Sequence, residues 1–276
     1  GGKPYIYGKK TKHLPFAGEY NYELVKSAIY KFLDIDAEEL QAIPNPPDLP
    51  VRPPVLCAGC PHRASFYAVK TAMRKQKAVF TGDIGCYTLG NAKPLEMVDT
   101  CLCMGAGITM AQGLKRAEPD VKHIAFIGDS TFFHTGIPGI INAVYNNTDI
   151  TIMVLDNSTT AMTGHQPHPG TGVTMMRNIS EKVDIYGMLA ACGIKHIARA
   201  NPFDQKKSVE IVKEAVDFNG PSAVIFEAPC IAVSKPAQKQ VIKNNCTKCK
   251  RCIREIGCPA ISLKDGKVEI DQSQCF

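Results

Sequence analysis

The sequence predicts an α/β fold, a parallel sheet flanked by helices, followed by a small cysteine-rich segment. Three observations carry this expectation. Between residues 55 and 232, short apolar runs of strand length alternate with helical patterns, and strands alternating with helices imply a parallel sheet covered on both faces. Two successive runs close on Gly128-Asp129 and Asp156-Asn157, polar pairs at strand ends. The twelve cysteines are clustered, and six of them lie beyond residue 232 or close to it.

The elements follow in order. Residues 20–33, YNYELVKSAIYKFL, place Leu24, Val25, Ala28, Ile29 and Phe32 on one helical stripe. PNPPDLPVRPP, residues 44–54, carries six prolines in eleven residues, an extended connector and a natural boundary. Beyond it ASFYAVKTAMRK reads as a helix, AVFTGD as a strand and GITMAQGLKRA as a helix. HIAFIGD is a strand, GIPGIINAVYN a helix and ITIMVLDN a strand. IYGMLAAC and DQKKSVEIVKEAVDF read as helices and SAVIFEAP as a strand. A Lys/Gln-rich stretch at 235–243 leads into the tail, where SLKDGKVEI is a strand–turn–strand bending at Asp265-Gly266.

Composition narrows the class. The 276 residues suffice for one large or two modest cores, and 45% hydrophobic with 21% charged residues is ordinary for a globular protein. The net charge of +6 is spread along the chain without blocks, so there is no nucleic-acid signature. No apolar run approaches the roughly 18 residues of a membrane span. GGKPYIYGKK has no signal pattern and reads as an internal start, the expectation for a piece of a longer chain. Long βα patterns without an export signal argue against a disulfide scaffold and for metal or iron–sulfur ligation in a cytoplasmic protein.

GDSTFFHTGIPGIINAVYNNTDITIMVLDN forms a βαβ unit of about 30 residues. Its crossover returns the chain parallel to itself, so Asp129 and Asn157 emerge together at the carboxyl edge, where α/β folds bind ligands. A carboxylate and an amide oxygen there suit a hard divalent ion such as Mg²⁺, which completes its shell from phosphates and water. Gly128 permits close approach, and the following helix N-terminus favours an anion. A Gly-Asp turn with an Asn cap is the plainer reading of either residue alone.

This spaced pair resembles the cofactor motif of thiamine-diphosphate enzymes, with Ser130 where many have a Gly. CAGCPHRASFY, GDIGCYTLG, TCLCMGAGITMAQG, GDSTFFHTG, DNSTTAMTGHQPHPGTG and FEAPC are similar to the large (alpha) subunits of indolepyruvate:ferredoxin oxidoreductases, a branch of the 2-oxoacid:ferredoxin oxidoreductases. The resemblance covers nearly the whole chain, most specifically residues 55–175. It implies a thiamine-diphosphate-binding fold with Asp129, Asn157 and the Thr159 carbonyl on Mg²⁺, and Gly85, Gly105, Gly128 and Ser130 near the cofactor. It implies four regions: 1–43 as the remnant of a preceding domain, 44–54 as linker, 55–232 as the thiamine-diphosphate domain and 240–276 as a truncated ferredoxin-like 4Fe–4S domain. The implied reaction is oxidative decarboxylation of an arylpyruvate such as indolepyruvate, giving CO₂ and the aryl-acetyl-CoA. Electrons go to ferredoxin, and a smaller beta subunit completes the enzyme.

The cysteines divide into two implied sets. Cys57-x-x-Cys60, Cys86 after one strand and Cys230 after another would hold a [4Fe–4S] cluster beside the thiamine ring. Four thiolates suit zinc as well. A redox-active dithiol at Cys57/Cys60 is the weaker reading, because the pair follows a proline linker rather than a core strand. In the tail, Cys246-x₂-Cys249-x₂-Cys252 and Cys258-Pro259 depart from the ferredoxin run C-x₂-C-x₂-C-x₃-C-P by five residues before the fourth cysteine. Whether Cys258 completes this cluster or serves another stays open, as does zinc, and Cys275 stands where a second run would begin. Cys101, Cys103 and Cys192 read as small core residues.

Thr163, His165 and His168, in a Gly/Pro-rich loop after Asn157, are the candidate catalytic wall; a His near neutrality handles protons or binds a carboxylate. Surface histidines are the plainer alternative. His62 and Arg63 could meet an anion, or Arg63 could be structural near the cluster, and His123 reads as structural. The glutamate that activates thiamine is expected from an N-terminal domain outside this chain. Three rivals remain: the same chemistry on pyruvate or another 2-oxoacid, a non-redox thiamine decarboxylase, and a non-catalytic iron–sulfur module.

Overall fold

The computed structural model describes residues 6–36, 50–51, 53–234 and 239–275. The chain divides into two compact units, Gly1–Arg52 and Pro53–Phe276. Most of the proline-rich stretch at 44–54 lies outside the described residues.

The first unit is built around α1 (Tyr22–Leu33). Asn21 caps it by accepting from the Leu24 amide at 2.9 Å, and Asp34 ends it in the left-handed conformation. The predicted stripe is present, but Val25, Ala28, Ile29 and Phe32 line an open groove with Tyr7 and Tyr20, and no residue of the helix is buried.

In the second unit six parallel strands run in the order β2-β1-β3-β4-β6-β5. They are β1 (Ala78–Gly82), β2 (Thr100–Cys101), β3 (Lys122–Gly128), β4 (Thr151–Asp156), β5 (His196–Ala200) and β6 (Ser222–Glu227). Side chains alternate across a strand, and the two cores show it. Ile124 and Phe126 of β3 face α2 (Pro61–Met73) and α7 (Gln205–Asp217), whereas Ala125 and Ile127 face the opposite layer. That layer comprises α3 (Ala106–Ala117), α5 (Ile137–Tyr145) and α6 (Ile185–Ala191). Central strands β3 and β4 are buried on both faces, which is why they read as unbroken apolar runs.

Three details differ from expectation. Strand β5, HIARA, was not predicted: as an edge strand it carries Arg199, exposed and paired with Glu227 and Asp184, and its apolar pattern is diluted. TCLCM is a strand only at Thr100–Cys101; the chain then turns, so Cys101 and Cys103 are exposed rather than core residues. Cys192, half-buried, does pack against the α6 side of the core. The helix before β4 also starts earlier than GIPG: α4 (Asp129–Thr131) and a π turn at Phe132–Gly136 run directly into α5.

Beyond β6, a π turn at Cys252–Ile256 precedes the predicted hairpin, β7 (Ile261–Lys264) and β8 (Lys267–Ile270), bent at Asp265-Gly266. This tail seats on α2. Glu255 accepts from Tyr67 Oη at 2.9 Å and Arg74 Nη2 at 2.6 Å. No helix among the described residues is long and apolar enough to cross a membrane.

Candidate functional site at the carboxyl edge of the sheet

Asp129 ends the β3 turn and opens the helix that follows, and it is 3% exposed. Its Oδ1 accepts from the Ser130 amide at 2.7 Å and its Oδ2 from the Asn157 amide, beyond β4, at 3.1 Å. One atom of the Asn157 side-chain amide lies 3.2 Å from Asp129 Oδ2 and 2.7 Å from the Thr159 carbonyl oxygen. The other faces His62 Nε2 at 3.2 Å. Two acceptors that close require either the amide NH₂ donating to both, or the amide oxygen with a cation among three oxygens. Asp129, Asn157 and Thr159 therefore have the hard-oxygen chemistry that Mg²⁺ takes. His62 suits both arrangements. Burial pushes its pKa down to about 4 against the pull of Asp129, so at neutral pH its imidazole donates in one tautomer and accepts in the other.

His168 closes this corner from the loop side. Its Nδ1 accepts from the Gly170 amide at 3.2 Å. Its Nε2 stands 3.0 Å from Asp129 Oδ2 without the alignment of a hydrogen bond, a buried polar atom without an aligned partner. Burial and the Asp129 charge push Asp156, next to Asn157, up to about 6.

Two cavities meet here. The smaller, about 100 Å³, is walled by Gly85, Gly128, Asp129, Ser130, Thr159 and Thr163. The larger, about 350 Å³, is walled by Cys57, Cys60, Cys86, Cys230 and His165. His62, Cys86, Asn157 and Ala161 belong to both walls. His165 thus stands with the cysteines, whereas His168 and Thr163 stand with Asp129. Thr163 Oγ1 donates to Gln166 Oε1 at 2.6 Å. Gly105 walls neither cavity; at φ +81° it starts α3, and its amide donates to Asp83 Oδ2 at 2.6 Å.

Each thiol is brought in by a different piece of backbone. Cys57 and Cys60 close a turn through Gly59 at φ +72°, with the Cys60 amide donating to the Cys57 carbonyl at 3.3 Å, and Cys60 caps α2. Cys86 opens a 3-10 turn after β1, and Cys230 follows β6. Burial pushes Cys60 up to about 11; it raises Cys86 too, with Cys230 and Cys57 adding to the effect. Gathering thiols in this way favours their neutral forms unless a cation compensates. Among the described residues no three His, Cys, Asp or Glu side chains converge on a single point that could grip one metal ion. The four thiols surround a space instead.

In the tail, Cys246 and Cys249 are exposed and Cys252, Cys258 and Cys275 half-buried. Lys248 and Lys250 sit at φ +55° and +60° between the first three cysteines. Such alternation of backbone hand makes anion-binding nests, common around iron–sulfur clusters.

Sequence reasoning missed one buried pair. Asp83, 1% exposed, accepts from Tyr87 Oη and the Gly105 amide, and burial pushes it up to about 6. The Tyr87 ring packs where a Cβ on Gly85 or Gly128 would stand, so these glycines make room for the ring. The available signal was GDIGCY, a second Gly-Asp strand end beside the first. His123 is buried, with Nε2 3.2 Å from the Glu118 carbonyl oxygen.

The sheet edge corresponds to a known class. Residues 83–226 match the family model of the thiamine pyrophosphate enzyme C-terminal TPP-binding domain, which contains both Asp129 and Asn157. Indolepyruvate oxidoreductase subunit IorA of Archaeoglobus fulgidus is 41% identical, covering 98% of this chain and 45% of that protein. The IorA subunit of Methanothermobacter thermautotrophicus is 39% identical over 98% of this chain and 44% of its own length. The 2-oxoglutarate synthase subunit KorB of Archaeoglobus fulgidus is 30% identical over 64% of this chain and 70% of its own. Among solved structures, a 2-oxoglutarate:ferredoxin oxidoreductase from Magnetococcus marinus, with 2-oxoglutarate, coenzyme A and succinyl-CoA bound, shares the fold at TM-score 0.59 and 22% identity, covering 67% of each chain. The chain belongs to the thiamine-diphosphate-binding 2-oxoacid:ferredoxin oxidoreductases, on the branch of the IorA subunits. It spans less than half the length of the IorA relatives it matches.

Proposed function

We propose that this chain is the cofactor-binding and first electron-accepting part of an enzyme that oxidatively decarboxylates an arylpyruvate such as indolepyruvate to the aryl-acetyl-CoA. The observation that carries the reading is the shared wall between the Asp129–Asn157–Thr159 corner and the four-cysteine cavity. A site for a metal-bound diphosphate beside a site for an electron acceptor suits a decarboxylation that releases electrons, and a non-redox decarboxylase has no use for the second.

Thiamine diphosphate, when bound, supplies the electron sink for loss of CO₂. Asp129, Asn157 and the Thr159 carbonyl would hold the Mg²⁺ of its diphosphate, with Ser130 and the helix start facing the anion. His168, with Nε2 3.0 Å from Asp129, and Thr163, which walls the same cavity as Asp129, would form the catalytic wall. Cys57, Cys60, Cys86 and Cys230 would hold a [4Fe–4S] cluster, with His165 beside it. Cys246, Cys249, Cys252 and Cys258 would hold a second in the ferredoxin-like tail, on the way to ferredoxin. Coenzyme A and a smaller beta subunit are the further partners, and the cytoplasm is the compartment that keeps such thiols reduced. Likeness to the IorA subunits supports the aryl substrate, and likeness to both IorA and KorB supports the class of 2-oxoacid.

The test is anaerobic loading of the full-length subunit with iron, sulfide, Mg²⁺ and thiamine diphosphate, with iron and bound thiamine measured together. Both should be retained. Thiamine without iron would leave a non-redox enzyme, and iron without thiamine an electron-transfer module.

A further inference from the structure

Arg63 occupies an unusual position for a cation. It is 6% exposed, and among the described residues no carboxylate lies within ion-pair distance of it. Its guanidinium is held by carbonyls alone. One nitrogen, Nη1, donates to the Ile256 and Gly257 carbonyls, both at 2.9 Å, and Nη2 donates to the Leu56 carbonyl. Leu56 immediately precedes Cys57, and Gly257 immediately precedes Cys258. The planar fork therefore spans the two cysteine regions, gripping each at the residue before a thiol, a geometry that lysine cannot reproduce. Its Nε is buried and unpartnered.

A buried guanidinium without a counter-charge is costly. Burial pulls its pKa down, and the neighbouring Cys258, Cys60 and Cys57 oppose that pull in this order. Cys60, Arg63, Tyr67, Ile256 and Cys258 wall one cavity of about 330 Å³ between α2 and the tail. The tail is fitted to this seat from its own side as well. Gly257 lies at φ +63°, and a Cβ there would overlap the Pro94 ring.

We infer that Arg63 is a positioning residue that joins the two cysteine sets, clamping the Cys258 turn against the Cys57–Cys60 loop so that electrons cross from the sheet-edge set to the tail at this contact. The step is a one-electron transfer. With clusters held by the two cysteine sets, the sheet-edge set would give up one electron and the tail set would take it, with no proton or bond changing hands. Thiolates holding such clusters would also supply the negative charge that the buried guanidinium lacks. The inference rests on the cluster assignments proposed above.

The experiment uses the full-length protein with its partner subunit, loaded anaerobically, and the variants Arg63→Gln, Arg63→Lys and Gly257→Val. Three things are read: iron content, the spin–spin interaction between the reduced clusters by electron paramagnetic resonance, and the arrival of electrons in the tail after a single addition of indolepyruvate. Arg63→Gln should keep its iron and the rate at which substrate reduces the first cluster. It should lose the spin interaction and slow arrival in the tail at least tenfold. Arg63→Lys, which keeps the charge but cannot span three carbonyls, should fall between. Gly257→Val should give the same loss with Arg63 intact, and it carries the test if Arg63→Gln does not fold. Wild-type spin interaction and transfer rate in Gly257→Val and in any folded Arg63 variant would overturn the inference. Iron-free wild-type protein would overturn the cluster assignments and this inference with them.

Discussion

The amide of Cys230 donates to the carbonyl oxygen of Asn157 at 2.9 Å. One residue of the oxygen corner and one thiol of the cysteine cavity are thus tied by a single backbone bond at the end of neighbouring strands β4 and β6.

Asp129→Asn keeps the size of the side chain but removes the charge that a divalent ion needs. The expected outcome is loss of Mg²⁺-dependent thiamine diphosphate retention by at least a hundredfold, with the iron content of the cysteine sets unchanged. Equilibrium dialysis with labelled cofactor, with and without a chelator of divalent ions, measures it.

A buried carboxyl, Asp83, and a half-buried one, Asp156, set an acid-side stability profile. Asp83 and Asp156 both have folded-state pKa values pushed up to about 6 by burial, from an ordinary value near 3.8. A raised carboxyl favours the fold most below its unfolded pKa, and that contribution is lost as pH rises from about 4 through about 6. Each group makes stability fall by up to roughly 1.4 kcal/mol per pH unit inside that window. Asp83→Asn should remove one of the two contributions and flatten the slope. Urea unfolding followed between pH 4 and pH 7 measures it.

The β3 core is a packing test independent of any cofactor. Phe126 is fully buried, with its ring centroid 4.7 Å from that of Phe66 on α2. Phe126→Ala should cost about 3–5 kcal/mol, the range for emptying a large aromatic site. Chemical denaturation of the chain without cofactors measures it.

Glu255 ties the tail to α2 through Tyr67 and Arg74. These groups are partly exposed, so salt screens them. Glu255→Gln should speed protease cleavage within the tail several-fold at low salt, and the difference from wild type should shrink as salt is raised. Timed limited proteolysis with mass spectrometry measures it.

Much of this was legible in the chain, for particular reasons. β3 and β4 are buried on both faces and announce themselves as apolar runs, and the Asp129–Asn157 pair follows from parallel strands ending at one edge. The hairpin at Asp265-Gly266 is a local turn signal. What escaped was set by position in the fold. The edge strand β5 has polar side chains that dilute its pattern, and Cys101 and Cys103 leave the sheet after a two-residue strand. Spacing could not place His165 with the cysteines and His168 with Asp129, because loop conformation decides that, including His165 at φ +62°. Arg63 looked equally suited to an anion or to support. Its role depends on carbonyls 193 and 194 residues away, which no local pattern encodes.

The adjacency of the oxygen corner and the cysteine cavity is the central claim, and Cys86, common to both walls, tests it most directly. The measurement is anaerobic addition of indolepyruvate to the loaded full-length protein, following cluster bleaching and counting iron and bound thiamine, in wild type and Cys86→Ala. Wild type should bleach. Cys86→Ala should keep its thiamine, lose one cluster's four irons and fail to pass electrons onward. Unchanged iron and unchanged bleaching in Cys86→Ala would contradict the assignment of that cavity as the first electron acceptor.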